Sequence, residues 1–82
     1  MTNEQIEKFL KNNEMTSPVQ INFKARNSIK GIFIKTADFS ELKSKNLWRI
    51  VSESKFEDYE KSKDINLARI FSGMEITKLG VV

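Results

Sequence analysis

Hydrophobic and polar residues alternate along much of this chain, which indicates short strands that each bury one face. In Val19–Lys24 every second residue is apolar, so we predict a half-buried strand. Ile29–Thr36 predicts a second strand after a turn-forming segment. Gly31 inside that strand indicates a bulge, a sharp bend or a close approach of another backbone. The two segments together predict a hairpin.

The rest of the chain predicts one helix and three further strands. Thr2–Asn13 reads as a helix, because Ile6, Phe9 and Leu10 form one apolar stripe. Thr2 and Gln5 have the spacing of a capping box. The three further strands are predicted at Leu47–Val51, Ile65–Phe71 and Met74–Val82.

Two segments are less regular. Ala37–Lys45 is polar apart from two apolar residues and predicts a short capped turn. Residues 52–64 are polar and acidic, and two interpretations stay open for them: one or two helical turns, or an extension of a strand. A helix at 2–13 followed by five strands within 19–82 predicts a single domain over 1–82. The predicted fold is mainly β, a small, strongly bent five-stranded antiparallel barrel with an N-terminal α-helix.

Composition removes several classes of function. The 82 residues include no Cys and no His, which excludes disulfides, thiolate or imidazole metal sites and the Ser-His-Asp triad. The acidic spacing in Asp58–Asp64 lacks the glycine and the final carboxylate of a calcium loop. We therefore expect no enzyme activity, no metal, no cofactor and no small-molecule substrate. No apolar run is long enough to cross a bilayer and the first residues do not form a signal peptide, so we expect a cytoplasmic protein without membrane contact.

Charge is unevenly distributed along the chain. The formal net charge is +3, but residues 24–49 carry seven Lys and Arg against two acidic residues. Residues 53–64 carry five acidic residues against three Lys. Phosphate contacts are one interpretation of the basic middle segment, and an ordinary solvated surface is the other. Phe39 is a candidate for base stacking, whereas we expect Trp48 to be a core or interface anchor.

The C-terminal strands carry a recognisable spacing. Ile70-Phe71-Ser72-Gly73-Met74-Glu75-Ile76-Thr77-Lys78-Leu79 follows I-x-x-G-x-x-I-x-x-L and resembles the second motif of the Sm and Sm-like (Hfq-type) proteins. The upstream segments Val19–Lys24 and Ile29–Ile32 resemble the first motif of that family. Asp38-Phe39 and Asn46-Leu47 lie near the places of its loop residues. The spacing departs from the family in the loops, because Asn46 follows Asp38 by eight positions and Ser72 stands where a basic residue is usual.

The resemblance implies an SH3-like, Sm-type barrel that assembles into a ring. In that family the fourth strand of one subunit pairs with the fifth strand of the next. The implied interface residues here are Ile65, Leu67, Arg69, Phe71, Met74, Ile76 and Lys78. The resemblance also implies binding of single-stranded RNA. The candidate nucleic-acid residues are Lys24, Arg26, Lys30, Phe39, Lys43, Lys45 and Asn46.

The sequence thus predicts a non-catalytic, ring-forming Sm-like module that binds single-stranded RNA. The altered loop spacing favours a rival function, an oligomeric scaffold or protein-interaction subunit with no nucleic-acid role. A small enzyme is a third hypothesis, and it requires a carboxylate with a strongly raised pKa in a cleft.

Overall fold

A five-stranded antiparallel sheet and an N-terminal helix form the body of the molecule. The computed structural model describes residues 1–13 and 17–82. The strands are β1 (Val19–Phe23), β2 (Ile29–Phe33), β3 (Leu47–Ser52), β4 (Arg69–Ser72) and β5 (Ile76–Val81). The helices are α1 (Asn3–Asn12), α2 (Phe39–Ser44) and α3 (Phe56–Ser62), and three short 3-10 turns connect elements in the second half of the chain.

The strand order is β4-β3-β2-β1-β5, and every neighbouring pair is antiparallel. β4 and β5 are therefore the outer strands, and the sheet is not closed by hydrogen bonds between them. Only the 3-10 turn Gly73–Glu75 connects these two strands. The Phe23 and Phe71 rings, from β1 and β4, lie 5.4 Å apart. The sheet is thus bent enough for side chains of non-neighbouring strands to pack.

Helix α1 begins and ends as predicted. Thr2 is the N-cap, with its hydroxyl accepting from the Gln5 amide at 3.2 Å. The Gln5 side chain accepts in return from the Thr2 amide at 3.0 Å, which completes the capping box. Ile6 is fully buried against the sheet, and Phe9 and Leu10 pack beside it. The apolar stripe is thus what attaches the helix to the sheet.

Alternation along the strands places the core. Val19, Ile21 and Phe23 are buried on one face of β1, as predicted. Trp48 on β3 is 1% exposed, and its ring meets the Phe33 ring edge-on at 5.9 Å. Trp48 is therefore a core anchor.

Gly31 marks a close approach between neighbouring strands. A Cβ at Gly31 would lie 2.7 Å from Ile50 Cγ2, so the glycine lets β2 pack tightly over the Ile50 side chain.

Several predicted boundaries are wrong. Ile65–Leu67 is a 3-10 turn and not the start of β4, because the Asp64 carboxylate caps it by accepting from the Asn66 amide at 2.9 Å. Met74 belongs to the turn before β5, where the Ser72 hydroxyl accepts from its amide. β2 ends at Phe33, three residues before its predicted end. In residues 52–64 the helical interpretation is correct and the strand extension is wrong.

Candidate nucleic-acid interface

The first hairpin carries three exposed cations, Lys24, Arg26 and Lys30, which lie at the end of β1, in the turn and on β2. Within the described ranges 1–13 and 17–82, none of the three forms an ion pair. Arg26 lies over two aromatic rings, with its guanidinium carbon 5.5 Å from the Phe23 centroid and 5.6 Å from the Phe71 centroid. Contacts of this kind hold a guanidinium in place while its N–H groups stay available to an anion.

The two lysines of the second predicted cluster are already paired. The Lys43 ammonium pairs with the Glu7 carboxylate on α1, and both side chains are about one-third exposed. This hydrogen bond lowers the pKa of Glu7 below its ordinary value. Lys45 Nζ lies 3.6 Å from a Glu41 carboxylate oxygen in a more exposed pair. These lysines therefore offer less positive charge to a phosphate than the hairpin cations do.

Phe39 is half-buried and packs against the core. Its ring meets the Trp48 ring edge-on, with 6.0 Å between the centroids. The ammonium groups of Lys35 and Lys43 lie 5.6 Å and 5.9 Å from the Phe39 centroid. A base that stacked here would compete with these two lysines for the ring.

Asn46 immediately precedes β3 in the sequence and contacts the turn that precedes β5. Both the oxygen and the nitrogen of its side-chain amide are hydrogen-bonded within the chain. Its Oδ1 accepts from Trp48 Nε1 at 2.9 Å, and its Nδ2 donates to the Met1 carbonyl at 3.0 Å. Its carbonyl accepts from the Gly73 amide at 2.8 Å. Its backbone is left-handed, with φ 57°, a conformation that asparagine tolerates better than most residues. These bonds fix the orientation of the Asn46 amide and leave one lone pair of Oδ1 and one hydrogen of Nδ2 for any further partner.

Asp38, the acidic loop residue of the resemblance, forms an ion pair within the domain. Its Oδ2 accepts from Arg49 at 2.8 Å, and its Oδ1 accepts from the Thr36 hydroxyl. The hydrogen bond from Arg49, followed by that from Thr36, lowers the pKa of Asp38 to about 2. The carboxylate thus ties the segment before α2 to β3.

The turn Gly73–Glu75 brings two of the predicted regions together. Its first residue bonds to Asn46, and the Glu75 carbonyl accepts from the Lys24 amide at 2.9 Å. The hairpin end of β1 and the start of β3 therefore flank the same turn. The end of β1 and the start of β3 lie close together only because the sheet is bent. The spacing of residues in the sequence does not predict this proximity.

The predicted interface residues divide into buried and exposed positions. Phe71 and Ile76 are buried in the core, at 8% and 0% exposed, so their side chains are not available to a partner strand. Arg69 and Lys78 are exposed on the outer strands. In the described part of the chain, all of the exposed large hydrophobic residues lie on or next to these strands, namely Ile65, Ile70, Met74, Val81 and Val82.

One cation that the sequence reasoning missed is Lys55, which lies in the 3-10 turn after β3. Together with Arg26 and Arg69 it lines one cavity between the first hairpin and β4. Lys55 was missed because it lies in an acidic stretch of the sequence. A sum of charge along the sequence does not show which cations lie together in the folded chain. The described residues contain no helix long and apolar enough to cross a membrane.

Comparisons with protein-family models, with curated proteins and with solved structures find no match to this chain.

Proposed function

We propose that this chain is a non-catalytic Sm-like module, a strongly bent small barrel that assembles into a ring and binds single-stranded RNA. The observation that carries the proposal is the strand order, which leaves β4 and β5 as the outer strands. These are the two strands that Sm-like subunits pair with one another. An unpaired outer strand presents free N–H and C=O groups, and a closed ring of copies satisfies them.

The exposed hydrophobic residues support self-association through the same strands. Ile70 on β4 is 47% exposed and Val81 on β5 is 73% exposed. Exposed hydrophobic residues on a free strand edge become buried when another strand pairs with that edge. Burial between copies also suits a domain of 82 residues, which is just longer than the roughly 70–80 residues below which a single core rarely supplies more than about 3–5 kcal/mol.

Native mass in solution, measured by size-exclusion chromatography with light scattering, tests the ring. We expect a closed assembly of about five to seven subunits, the range that the resemblance implies. Ile70→Asp should shift the mass towards the monomer, because a charge at that exposed position disturbs the interface without entering the core. Ser40→Asp adds the same charge on exposed α2 and should leave the assembly intact. A monomer over a wide range of concentration contradicts the proposal.

RNA binding is proposed to depend on the unpaired hairpin cations. Lys24, Arg26 and Lys30 supply phosphate contacts, while Lys43 and Lys45 contribute less because carboxylates already hold them. Titration of a labelled single-stranded oligouridine at several salt concentrations tests this. Replacing the three hairpin cations by glutamine should reduce the salt slope by about 2 per chain, from about 0.7 per phosphate contact.

Two further variants give that titration its controls. Lys43→Gln/Lys45→Gln should weaken binding less per charge removed than the hairpin variant. Lys8→Gln/Lys61→Gln removes two exposed charges far from the proposed surface in sequence and should change binding least. An equal loss of affinity per charge removed in all three variants would mean that only the net charge of the chain determines binding.

A scaffold with no nucleic-acid role is the second candidate function. The observation that favours it is the internal bonding of Asp38 and Asn46, which occupies part of the hydrogen-bonding capacity of the loop groups of the resemblance and fixes their orientation within the domain. A ring that shows no salt-dependent binding of oligouridine would establish this function in place of the first.

A further inference from the structure

A cavity of about 440 Å³ opens between the β1–β2 turn, the end of β3 and the start of β4. Its volume is within the range of about 300–1,000 Å³ that is usual for small-molecule sites. Neither the charge pattern nor the resemblance predicts it, because three distant parts of the sequence form its walls.

The inner surface of the cavity is apolar. Ile50 and Phe71 are 1% and 8% exposed and belong to the core of the sheet. Ile29 and Leu67 are half-buried and extend the apolar surface towards the opening. An organic group placed against these four side chains would remove apolar surface from water, which favours binding.

The rim of the cavity is polar and positively charged. Arg26, Lys55 and Arg69 lie around it, and none of the three is in an ion pair within residues 1–13 and 17–82. Asn27, Ser52 and Ser54 add amide and hydroxyl groups that can donate hydrogen bonds.

Acidic residues lie beside the cavity but not in it. None of the residues that line it, all in the described part of the chain, is acidic. Glu53 and Glu75 line neighbouring depressions instead. Three like charges therefore face one opening with no carboxylate among them, an arrangement that an anion stabilises.

We propose that this cavity binds a small phosphate monoester whose organic part is apolar or aromatic. Two guanidinium groups and one ammonium match a phosphate dianion, since arginine binds phosphate oxygens through two N–H groups at once. The guanidinium of Arg26 is held against the Phe71 ring, with 5.6 Å from its carbon to the centroid, so part of the site is ordered before the ligand arrives. The apolar inner surface selects an ester over inorganic phosphate.

Binding of phenyl phosphate, followed by amide chemical shifts in NMR spectra of the full chain, tests the proposal. We expect saturable binding, with shifts concentrated in the β1–β2 turn, the 3-10 turn after β3 and the first residues of β4. Inorganic phosphate should bind about tenfold more weakly, because it gains nothing from the apolar surface. Uridine monophosphate as a third probe distinguishes the source of the ester. If uridine monophosphate binds more tightly than phenyl phosphate, the natural ligand is assigned to the nucleotides. If it binds more weakly, the ligand is assigned to simpler phosphate esters.

Lys55→Gln/Arg69→Gln supplies the decisive variant. Both side chains are exposed, so the fold should persist, and the affinity for phenyl phosphate should fall by about tenfold or more. Lys8→Gln/Lys61→Gln removes the same net charge elsewhere and should leave the affinity nearly unchanged. Three results overturn the proposal: no saturation, equal affinity for phenyl and inorganic phosphate, or equal losses in the two variants.

The test is independent of the proposed RNA function. Lys55 belongs to neither the RNA set nor the interface set, so Lys55→Gln alone separates the two. Weaker binding of phenyl phosphate with an unchanged ring and unchanged binding of oligouridine supports the cavity by itself. If Lys55→Gln instead weakens binding of oligouridine and leaves the affinity for phenyl phosphate unchanged, the result supports the RNA surface and overturns the proposed cavity site.

Discussion

Replacing Gly73 by alanine should destabilise the domain, and the reason is a close approach and not backbone strain. Gly73 does not have a positive φ, so alanine can adopt its backbone conformation. A Cβ at this position, however, would lie 2.6 Å from Asn46 Cγ and nearer still to Oδ1. The Asn46 amide would have to move, although Trp48 and Met1 hold its two ends.

The cost follows from the two hydrogen bonds that this movement breaks. The indole N–H of Trp48, a residue 1% exposed, would lose its acceptor, which costs about 1–3 kcal/mol. Losing the bond from Asn46 to the Met1 carbonyl adds about 0.5–1.5 kcal/mol. We therefore expect Gly73→Ala to lower the free energy of unfolding by about 1.5–4.5 kcal/mol. That is a large part of the free energy of unfolding of a small domain, which is about 0.05–0.15 kcal/mol per residue.

Urea denaturation followed by the fluorescence of Trp48, the single tryptophan, measures this loss. Gly80→Ala is the matched control, because the nearest atom to its added Cβ is Gln20 Cβ at 4.0 Å. That substitution should leave the midpoint unchanged or raise it slightly. Equal midpoints for the two alanine variants would refute the reasoning.

A double-mutant cycle with Asn46→Gly makes the test stricter. Asn46→Gly removes the side chain that a Cβ at Gly73 would contact. Glycine also adopts the left-handed backbone conformation of residue 46 without strain. Gly73→Ala should therefore cost almost nothing further in that background. Additive losses would show that the two residues do not interact as the structure describes.

Two further predictions concern the ion pair before α2 and the cap of α1. The pKa of Asp38 is about 2 in the folded chain against an ordinary value of 3.8, so its pair with Arg49 stabilises the fold above pH 4 and this contribution is lost as pH falls through 2. Asp38→Asn should flatten the dependence of the urea midpoint on pH in that window, whereas Glu53→Gln, at an exposed residue outside the pair, should not. Thr2→Ala removes the hydroxyl half of the capping box and should lower the free energy of unfolding by about 1 kcal/mol, as measured by urea denaturation. No change for Thr2→Ala would mean that the start of α1 is frayed in solution.

Local patterns predicted the elements whose stability is local. The capping box and the apolar stripe of α1 lie within one helix, and the alternation in β1 and β3 lies within single strands. Trp48 was correctly expected in the core, because its neighbours in the sequence are strand residues.

The predicted start of β4 is wrong because a polar side chain next to an apolar segment caps a turn there, so that the segment does not form a strand. Ile65–Leu67 has strand-like residues, but the Asp64 carboxylate bonds to the Asn66 amide and closes a 3-10 turn. Ile65 is then 44% exposed and not part of a ladder. Capping by a residue just outside the run outweighed the preference of the run itself.

The candidate surface was predicted only in part, because its chemistry depends on contacts between distant residues. Lys43 and Glu7 are 36 positions apart, and nothing in either segment shows that they pair. Lys55 and Arg26 line one cavity although they belong to stretches of opposite average charge. The charge pattern along the sequence identified the basic hairpin. The tertiary structure determines which of the described cations are paired with carboxylates.

The proposed ring assembly and the proposed anion binding would place separate demands on β4, and the alternation of the strand is compatible with both. A second copy would pair with the backbone edge of β4 that faces away from β3. Arg69 and Phe71 line the cavity, whereas Ile70 between them projects to the opposite face of the strand. Pairing through this backbone edge would leave each protomer of the proposed ring its own cavity, although Leu67, Arg69 and Phe71 belong both to the implied interface and to the cavity lining. Because Arg26 belongs both to the RNA set and to the cavity rim, the proposed ring would repeat the proposed anion site at a fixed spacing. A strand of linked phosphates would then gain from effective concentration what a single ester cannot.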